Sequence, residues 1–176
     1  MFVPAANYPH KNLKILNQIC NILSSEYPEF NYIFYVTLKS KDFSQLHFTG
    51  NKHICNLGVL SITEVAETYH SIDCLFLPTL QECVSASFIE AMYTMTPIIT
   101  SDLHFIRHIC ETAAVYINPT DGYSIAKEIV LLSNDERKRQ ELVNAGSNVL
   151  KKFGTPQSRA NAYHKILEEI SNKINN

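Results

Sequence analysis

Apolar positions along the chain switch between two periods. Leu13, Leu16, Ile19, Cys20 and Leu23 recur at helical spacing and predict a helix over about 12–24. Tyr32–Leu38 (YIFYVTL) is instead aromatic and β-branched, the composition of a strand. Phe2–Pro4 forms a short strand ahead of the first helix, and Ile54–Leu57 forms another, closed by Gly58. Residues 39–52 are polar and predict a loop. Ser61-Ile62-Thr63-Glu64 has the Ser-x-x-Glu form of a capping box, in which hydroxyl and carboxylate each satisfy an orphan backbone N–H. It predicts a helix carrying Val65, Ala66 and Tyr69. Cys74–Leu77 is a continuous apolar run stopped by Pro78, the pattern of a strand buried on both faces. Ser85–Met95 predicts a helix, and Ile98–Thr100 and Ala114–Ile117 predict strands. Three helices, over about 123–132, 135–151 and 156–173, close the chain.

Strands that alternate with helices build βαβ units and therefore a parallel sheet. Right-handed crossovers place the helices on both faces. The expected fold class is α/β, a doubly wound parallel sheet of Rossmann-like form, with residues 1–176 as one domain. No internal repeat or low-complexity linker divides it.

Composition narrows the function classes. The 176 residues suffice for one such domain with a proper core. Net charge is −2, so there is no cationic excess to follow a phosphate backbone, and no nucleic-acid partner is expected. No apolar run approaches the roughly 20 residues of a membrane-spanning helix. The start, Met1-Phe2-Val3-Pro4, lacks the basic and apolar regions of a signal peptide. Five cysteines (Cys20, Cys55, Cys74, Cys83 and Cys110) form no C-x-x-C pair. A reduced cytoplasmic chain is expected, with most thiols as small core residues, meeting a membrane at most peripherally through a partner.

In an open parallel sheet, ligands bind beyond the carboxyl ends of the strands. Three places there carry polar groups. In the turn Asn7-Tyr8-Pro9-His10-Lys11-Asn12, Lys11 precedes a helix, where free N–H groups and a cation together favour phosphate. Taken alone, it reads equally as a solvated lysine. Gly58-Val59-Leu60 joins a strand to the capped helix. Its glycine suits a close backbone approach to a flat ligand, or plain turn chemistry. The third stretch runs from Pro78 to Met92. Glu82 lies in the loop after a buried strand, and Glu90 lies about one turn inside the next helix, leaning toward its N-terminus. Two carboxylates for sugar hydroxyls thus flank backbone donors for a diphosphate.

The order and spacing of these stretches resemble the donor-binding domain of the glycosyl transferases group one. The residues that carry the resemblance are Asp73-Cys74-Leu75-Phe76-Leu77-Pro78-Thr79 and Glu82 through Glu90-Ala91-Met92, an E-x7-E pattern with an "EAM" ending. With them go Pro97-Ile98-Ile99, Ser101-Asp102, Ile106-Arg107, Ala113-Ala114 and the turn Tyr8-Pro9-His10-Lys11-Asn12-Leu13. It extends from the first residues to about 150, and more weakly through the last helix. The resemblance implies one half of a GT-B architecture, the C-terminal donor domain of a retaining enzyme. Residues 156–173 would be a crossover helix, and the acceptor domain is absent from the chain. It further implies that Glu82 takes donor-sugar hydroxyls and Glu90 the ribose hydroxyls. Backbone around Ser85, Ala86 and Ser87 would hold sugar and phosphate, Lys11 would face the diphosphate, His10 would belong to the donor-binding residues, and Val59 and Leu60 would present backbone to the base.

The sequence departs from the family pattern in several places. Ala5, Ala6 and Asn7 stand where many members carry an arginine, which leaves Lys11 as the cation. Cys83, Val84, Ser85 and Ala86 replace a Gly-rich stretch and would narrow the sugar pocket. His108 follows Arg107 where a carboxylate is common. His104 and His108 share a helix face at metal-ligand spacing, but no third ligand follows, and they read as surface histidines. No G-x-S-x-G, P-loop or G-x-G-x-x-G occurs. Tyr69, Tyr93 and Tyr116 read as core or rim aromatics.

The expected function is retaining hexosyl transfer from a UDP- or GDP-linked sugar to an acceptor hydroxyl. It calls for no metal and no cofactor beyond the donor substrate. Two alternatives stay open. One is a non-catalytic nucleotide-sugar-binding module, or the donor subunit of a two-chain enzyme with an acceptor-domain partner or homo-oligomer. The other is a sugar-nucleotide epimerase or hydrolase of related fold.

Overall fold

The computed structural model describes residues 1–82 and 85–174. Its strands are β1 (Phe2–Val3), β2 (Phe34–Val36), β3 (Ile54–Asn56), β4 (Leu75–Leu77), β5 (Ile98–Ser101) and β6 (Ala114–Ile117). All pair in parallel, in the spatial order β3-β2-β1-β4-β5-β6. The helices are α1 (Ile15–Glu26), α2 (Ser40–Gln45), α3 (Ile62–Tyr69), α4 (Ala86–Tyr93), α5 (His104–Cys110), α6 (Gly122–Asn134), α7 (Glu136–Phe153) and α8 (Pro156–Ile174). The expected doubly wound Rossmann-like sheet is therefore present. Its strand order reverses between β1 and β4, which opens a crevice beyond their carboxyl ends.

Side chains alternate across the strands and divide the core in two. Val3, Phe34, Phe76 and Ile99 face Leu16, Ile19 and Leu23 of α1 and Ile125 and Ile129 of α6. Phe2, Leu75, Leu77 and Ile98 face Phe88, Ala91 and Met92 of α4 and Ile106 of α5. On that second face α7 crosses α4 at Gly146, where an added Cβ would lie 3.1 Å from Met92 Cγ. The capping box at Ser61 is formed on both sides: Ser61 Oγ accepts from Glu64 N–H, and Glu64 Oε2 accepts from Ser61 N–H at 2.7 Å.

One expectation fails. Residues 39–52 are not all loop, because Ser40–Gln45 forms α2. Three apolar residues anchor this polar stretch. Leu46 and Phe48 are buried, Phe43 meets Phe48 edge-on at 5.6 Å, and Asn17 Nδ2 donates to the Leu46 carbonyl at 2.9 Å. Tertiary anchoring outweighs the low local hydrophobicity, as it commonly does in short helices.

Cys20, Cys74 and Cys110 are buried free thiols, and burial pushes those of Cys74 and Cys110 up to about 12. They are core residues, as expected, while Cys55 is exposed. Cys83 lies outside the described residues, as does Val84. Among the described residues, no helix is long and apolar enough to cross a membrane. From residue 157 to 173, every side chain of α8 is exposed, including Tyr163, Ile166, Leu167 and Ile170.

Candidate donor site

The crevice between β1 and β4 is built by two loops. After β1 the chain makes a 3-10 turn at Pro9–Lys11, ended by Asn12 in the left-handed region at φ 54°. Proline at the start of that turn fixes its φ and has no N–H to leave unpaired. After β4, Pro78 stops the strand and the chain runs to α4.

The two loops are tied by backbone. Leu80 N–H donates to the His10 carbonyl at 2.7 Å. The buried Thr79 hydroxyl lies within donating distance of the His10 carbonyl at 2.9 Å and the Gln81 carbonyl at 2.7 Å. Asn12 Nδ2 donates to the Pro78 carbonyl at 3.1 Å and to the Pro119 carbonyl, after β6, at 2.7 Å. The His10 ring stacks on Tyr8 with centroids 5.6 Å apart.

This framework brings Lys11 and Glu82 together. Lys11 Nζ donates to Glu82 Oε2, and the two side chains keep only 18% and 14% of their exposure. Two residues 71 apart in sequence thus share one sheltered ion pair at the switch point of the sheet.

Glu90 takes a different partner. Its Oε2 lies 3.2 Å from the Tyr69 hydroxyl, which is also 3.2 Å from the Ser87 carbonyl one turn earlier. The carboxylate therefore leans toward the start of α4, but it is held to α3 and not to the Lys11–Glu82 pair. Burial, and then the Glu90 charge, push the Tyr69 phenol well above its usual range, so it stays a neutral donor. Tyr69 is itself buried and meets Phe2 edge-on at 5.2 Å. An apolar groove of about 380 Å³ opens beside it, lined by Leu60, Ile62, Val65, Tyr69, Glu90 and Tyr93.

Ser85 stands at the N-cap of α4 with no side-chain cap hydrogen bond among the described residues, and the first turn carries no acid. The N–H groups near Ala86 and Ser87 thus begin a helix whose first turn carries no acidic side chain of its own. On the far side, Gly58 takes φ +76° and donates to Asn56 Oδ1 at 3.1 Å. An added Cβ there meets nothing within 4 Å, so the glycine serves the turn. Val59 beyond it is exposed, whereas Leu60 packs on the core.

The remaining polar residues of the motif are structural. Arg107 Nη2 donates to Asp102 Oδ2 at 2.8 Å, and the guanidinium lies 4.2 Å from the Tyr116 ring centroid. The hydrogen bonds from Arg107 hold the Asp102 carboxyl below its usual range. His104 and His108 both lie on α5, and no cluster of three metal-ligating side chains forms among the described residues.

Sequence reasoning passed over Asn12 and the hydroxyl of Tyr69. For Asn12 the available signal was an asparagine directly before an apolar helical period, a common left-handed position. For Tyr69 there was none, because its partners lie on another helix.

No curated protein sequence matches this chain. The fold is that of several solved structures. It matches sucrose-phosphate synthase from Thermosynechococcus elongatus with TM-score 0.78 at 15% identity, over 98% of this chain and 46% of that one. It matches TarM from S. aureus, solved with fondaparinux, alpha-GlcNAc-glycerol and UDP, with TM-score 0.71 at 17% identity, over 99% of this chain and 35% of that one. It also matches the C-terminal domain of the glycosyl transferase group 1 family protein LpcC from Francisella tularensis, with TM-score 0.66 at 15% identity, over 86% of this chain and 83% of that one. The chain thus spans less than half the length of the first two. At sequence level, residues 2–149 match the family model of glycosyl transferases group 1, a span that holds both crevice loops, and the chain belongs to that family.

Proposed function

We propose that this chain is the donor-binding, C-terminal half of a retaining glycosyltransferase. It holds a UDP- or GDP-linked hexose for transfer to an acceptor hydroxyl. The observation that carries the reading is the meeting of Lys11 and Glu82 at the switch-point crevice. A nucleoside-diphosphate sugar presents anionic phosphates beside neutral hydroxyls. It therefore wants one cation with N–H donors and, a few ångströms away, a carboxylate acceptor.

In this reading Lys11 and the N–H groups at Ser85, Ala86 and Ser87 face the diphosphate, with His10 walling the turn. Glu82 accepts from the sugar hydroxyls and Glu90 from the ribose. Val59 and Leu60 offer backbone to the base, next to the groove that Leu60 lines with Tyr69 and Glu90. During transfer the bond from anomeric carbon to diphosphate breaks, one to the acceptor oxygen forms, and the acceptor hydroxyl's proton passes to the departing diphosphate. Negative charge grows on the departing phosphate, where Lys11 and the helix start stabilise it electrostatically. The UDP held by TarM and the C-terminal origin of the LpcC domain support the donor class and the placement in a longer enzyme.

A panel of nucleotides and nucleotide sugars in thermal shift tests this. At about 100 times its dissociation constant, the correct nucleoside diphosphate should add about 2.7 kcal/mol of stability. No shift from any nucleoside diphosphate up to millimolar concentration contradicts the reading.

The two glutamates should separate in titrations. Glu90→Ala should weaken nucleoside and nucleoside diphosphate alike, by the roughly 1.5–3 kcal/mol of a hydrogen bond to a charged group. Tyr69→Phe, which frees the Glu90 carboxylate from its only fixed donor among the described residues, should act in the same direction but less. Glu82→Ala should leave nucleoside binding intact and erase discrimination between sugars. Identical losses for Glu82→Ala and Glu90→Ala with free nucleoside contradict these roles.

A second reading is the donor subunit of a two-chain enzyme, or a binding module without catalysis. The exposed apolar face of α8 favours it.

A further inference from the structure

We infer that Asn12 is the positioning residue of this site, fixing where the Lys11 ammonium stands relative to the Glu82 loop; the inference rests on the donor-site reading above. Asn12 follows Lys11 directly and ends its turn in the left-handed region, at φ 54° and ψ 32°. Among residues with a side chain, asparagine adopts that region readily. Its amide carries two N–H groups, and both are used. One reaches the Pro78 carbonyl at 3.1 Å and the other the Pro119 carbonyl at 2.7 Å. A single planar group thus ties the loop after β1 to the loops after β4 and β6.

Both acceptors belong to prolines, whose fixed φ makes them stiff anchors. The residue before Lys11 is held as well, because the His10 carbonyl accepts from Leu80 N–H and lies 2.9 Å from the Thr79 hydroxyl. Lys11 is therefore clamped on both sides to the segment that carries Glu82. The backbone tie at His10 persists whatever side chain stands there, whereas the tie at Asn12 is purely side chain. Its nearest substitutes each lose part of this. Aspartate has no donor, glutamine is a methylene longer, and glycine keeps the φ but offers no hydrogen bond.

A cap that only stabilised the turn would lower the melting temperature and treat all ligands alike. A positioning residue acts through Lys11 and so affects the phosphates alone. The experiment is isothermal titration of the full chain with UDP and uridine, or with GDP and guanosine if that base binds tighter. The variants are Asn12→Gly, Asn12→Asp, Lys11→Met and Lys11→Met/Asn12→Gly. Asn12→Gly is expected to weaken the diphosphate about tenfold, near 1.4 kcal/mol, and to leave the nucleoside unchanged. Asn12→Asp, which turns a carboxylate toward two carbonyls, should show the same split. The double variant should bind diphosphate no worse than Lys11→Met alone.

Equal losses for diphosphate and nucleoside, or losses that multiply in the double variant, overturn the inference. So does unfolding of both Asn12 variants, which would assign the residue to stability. A wild-type chain that binds no nucleoside diphosphate removes the donor-site reading itself. Wild-type binding that survives Asn12→Gly unchanged removes this inference alone.

Discussion

Lys11→Met is expected to weaken binding of the nucleoside diphosphate by about 10- to 150-fold, the equivalent of a charge-assisted hydrogen bond worth roughly 1.5–3 kcal/mol. Binding of the parent nucleoside should not change. Lys11 brings a cation to Glu82 in the crevice, and methionine keeps an unbranched apolar stem of nearly the same length while removing the charge. The loss has two parts. The phosphates lose their counter-charge, and Glu82 no longer has the Lys11 ammonium beside its carboxylate. The ion pair adds a result of opposite sign. Lys11 already donates to Glu82, so an incoming diphosphate must take the ammonium from that carboxylate. Glu82→Gln removes the competitor and should tighten free nucleoside diphosphate, by about fivefold for a pair worth roughly 1 kcal/mol. With the intact sugar donor the gain should vanish, because the same substitution removes an acceptor for the sugar hydroxyls. Titration of both variants with diphosphate, nucleoside and nucleotide sugar checks these statements. A Lys11→Met variant that loses equally for diphosphate and nucleoside takes Lys11 out of the site.

Much of the fold was legible in the sequence, since burial on both faces makes a strand read as an unbroken apolar run. Leu75–Leu77 is of this kind, and Ile98–Ser101 is also buried along its whole length although it ends in the polar Thr100 and Ser101. The capping box placed the start of α3 to the residue, because its two hydrogen bonds depend only on residues three apart. Helix α2 was not legible. Phe43 within it and Leu46 and Phe48 just after it find their packing partners only when the chain is folded.

The site was legible in its parts but not in its pairings. Lys11, Glu82 and Glu90 could be marked from their positions after apolar strands. That Lys11 meets Glu82 while Glu90 meets Tyr69 depends on the strand order, which puts β4 beside β1 although β2 and β3 intervene in sequence. Local spacing carries no such information. Asn12 shows the same limit, since its side chain reaches residues 66 and 107 positions away.

The isolated chain is expected to bind donor yet transfer sugar slowly or not at all. Donor and acceptor must be held in near-attack geometry, and such positioning can supply about 7–11 kcal/mol of the barrier. A crevice walled by one domain leaves the sugar facing bulk water, where fixed dipoles count for less and hydrolysis competes. The last helix points to what completes the site. Ala160, Tyr163, Ile166, Leu167 and Ile170 form a stripe at helical spacing, and they remain exposed, with Tyr163 at 70% and Leu167 at 65%. Burying each large side chain of that stripe would contribute about 1.5–3 kcal/mol, enough to make an uncovered α8 a strong docking face. The acceptor-binding half of the enzyme, or a second copy of this domain, should therefore cover it. Light scattering of the purified chain should report self-association or, with an acceptor-domain protein added, a heterodimer. Ile166→Asp with Leu167→Asp should abolish that association while leaving nucleotide binding intact. Transfer should appear only when the acceptor-binding half is present. A strictly monomeric chain with full transferase activity by itself refutes the half-enzyme reading.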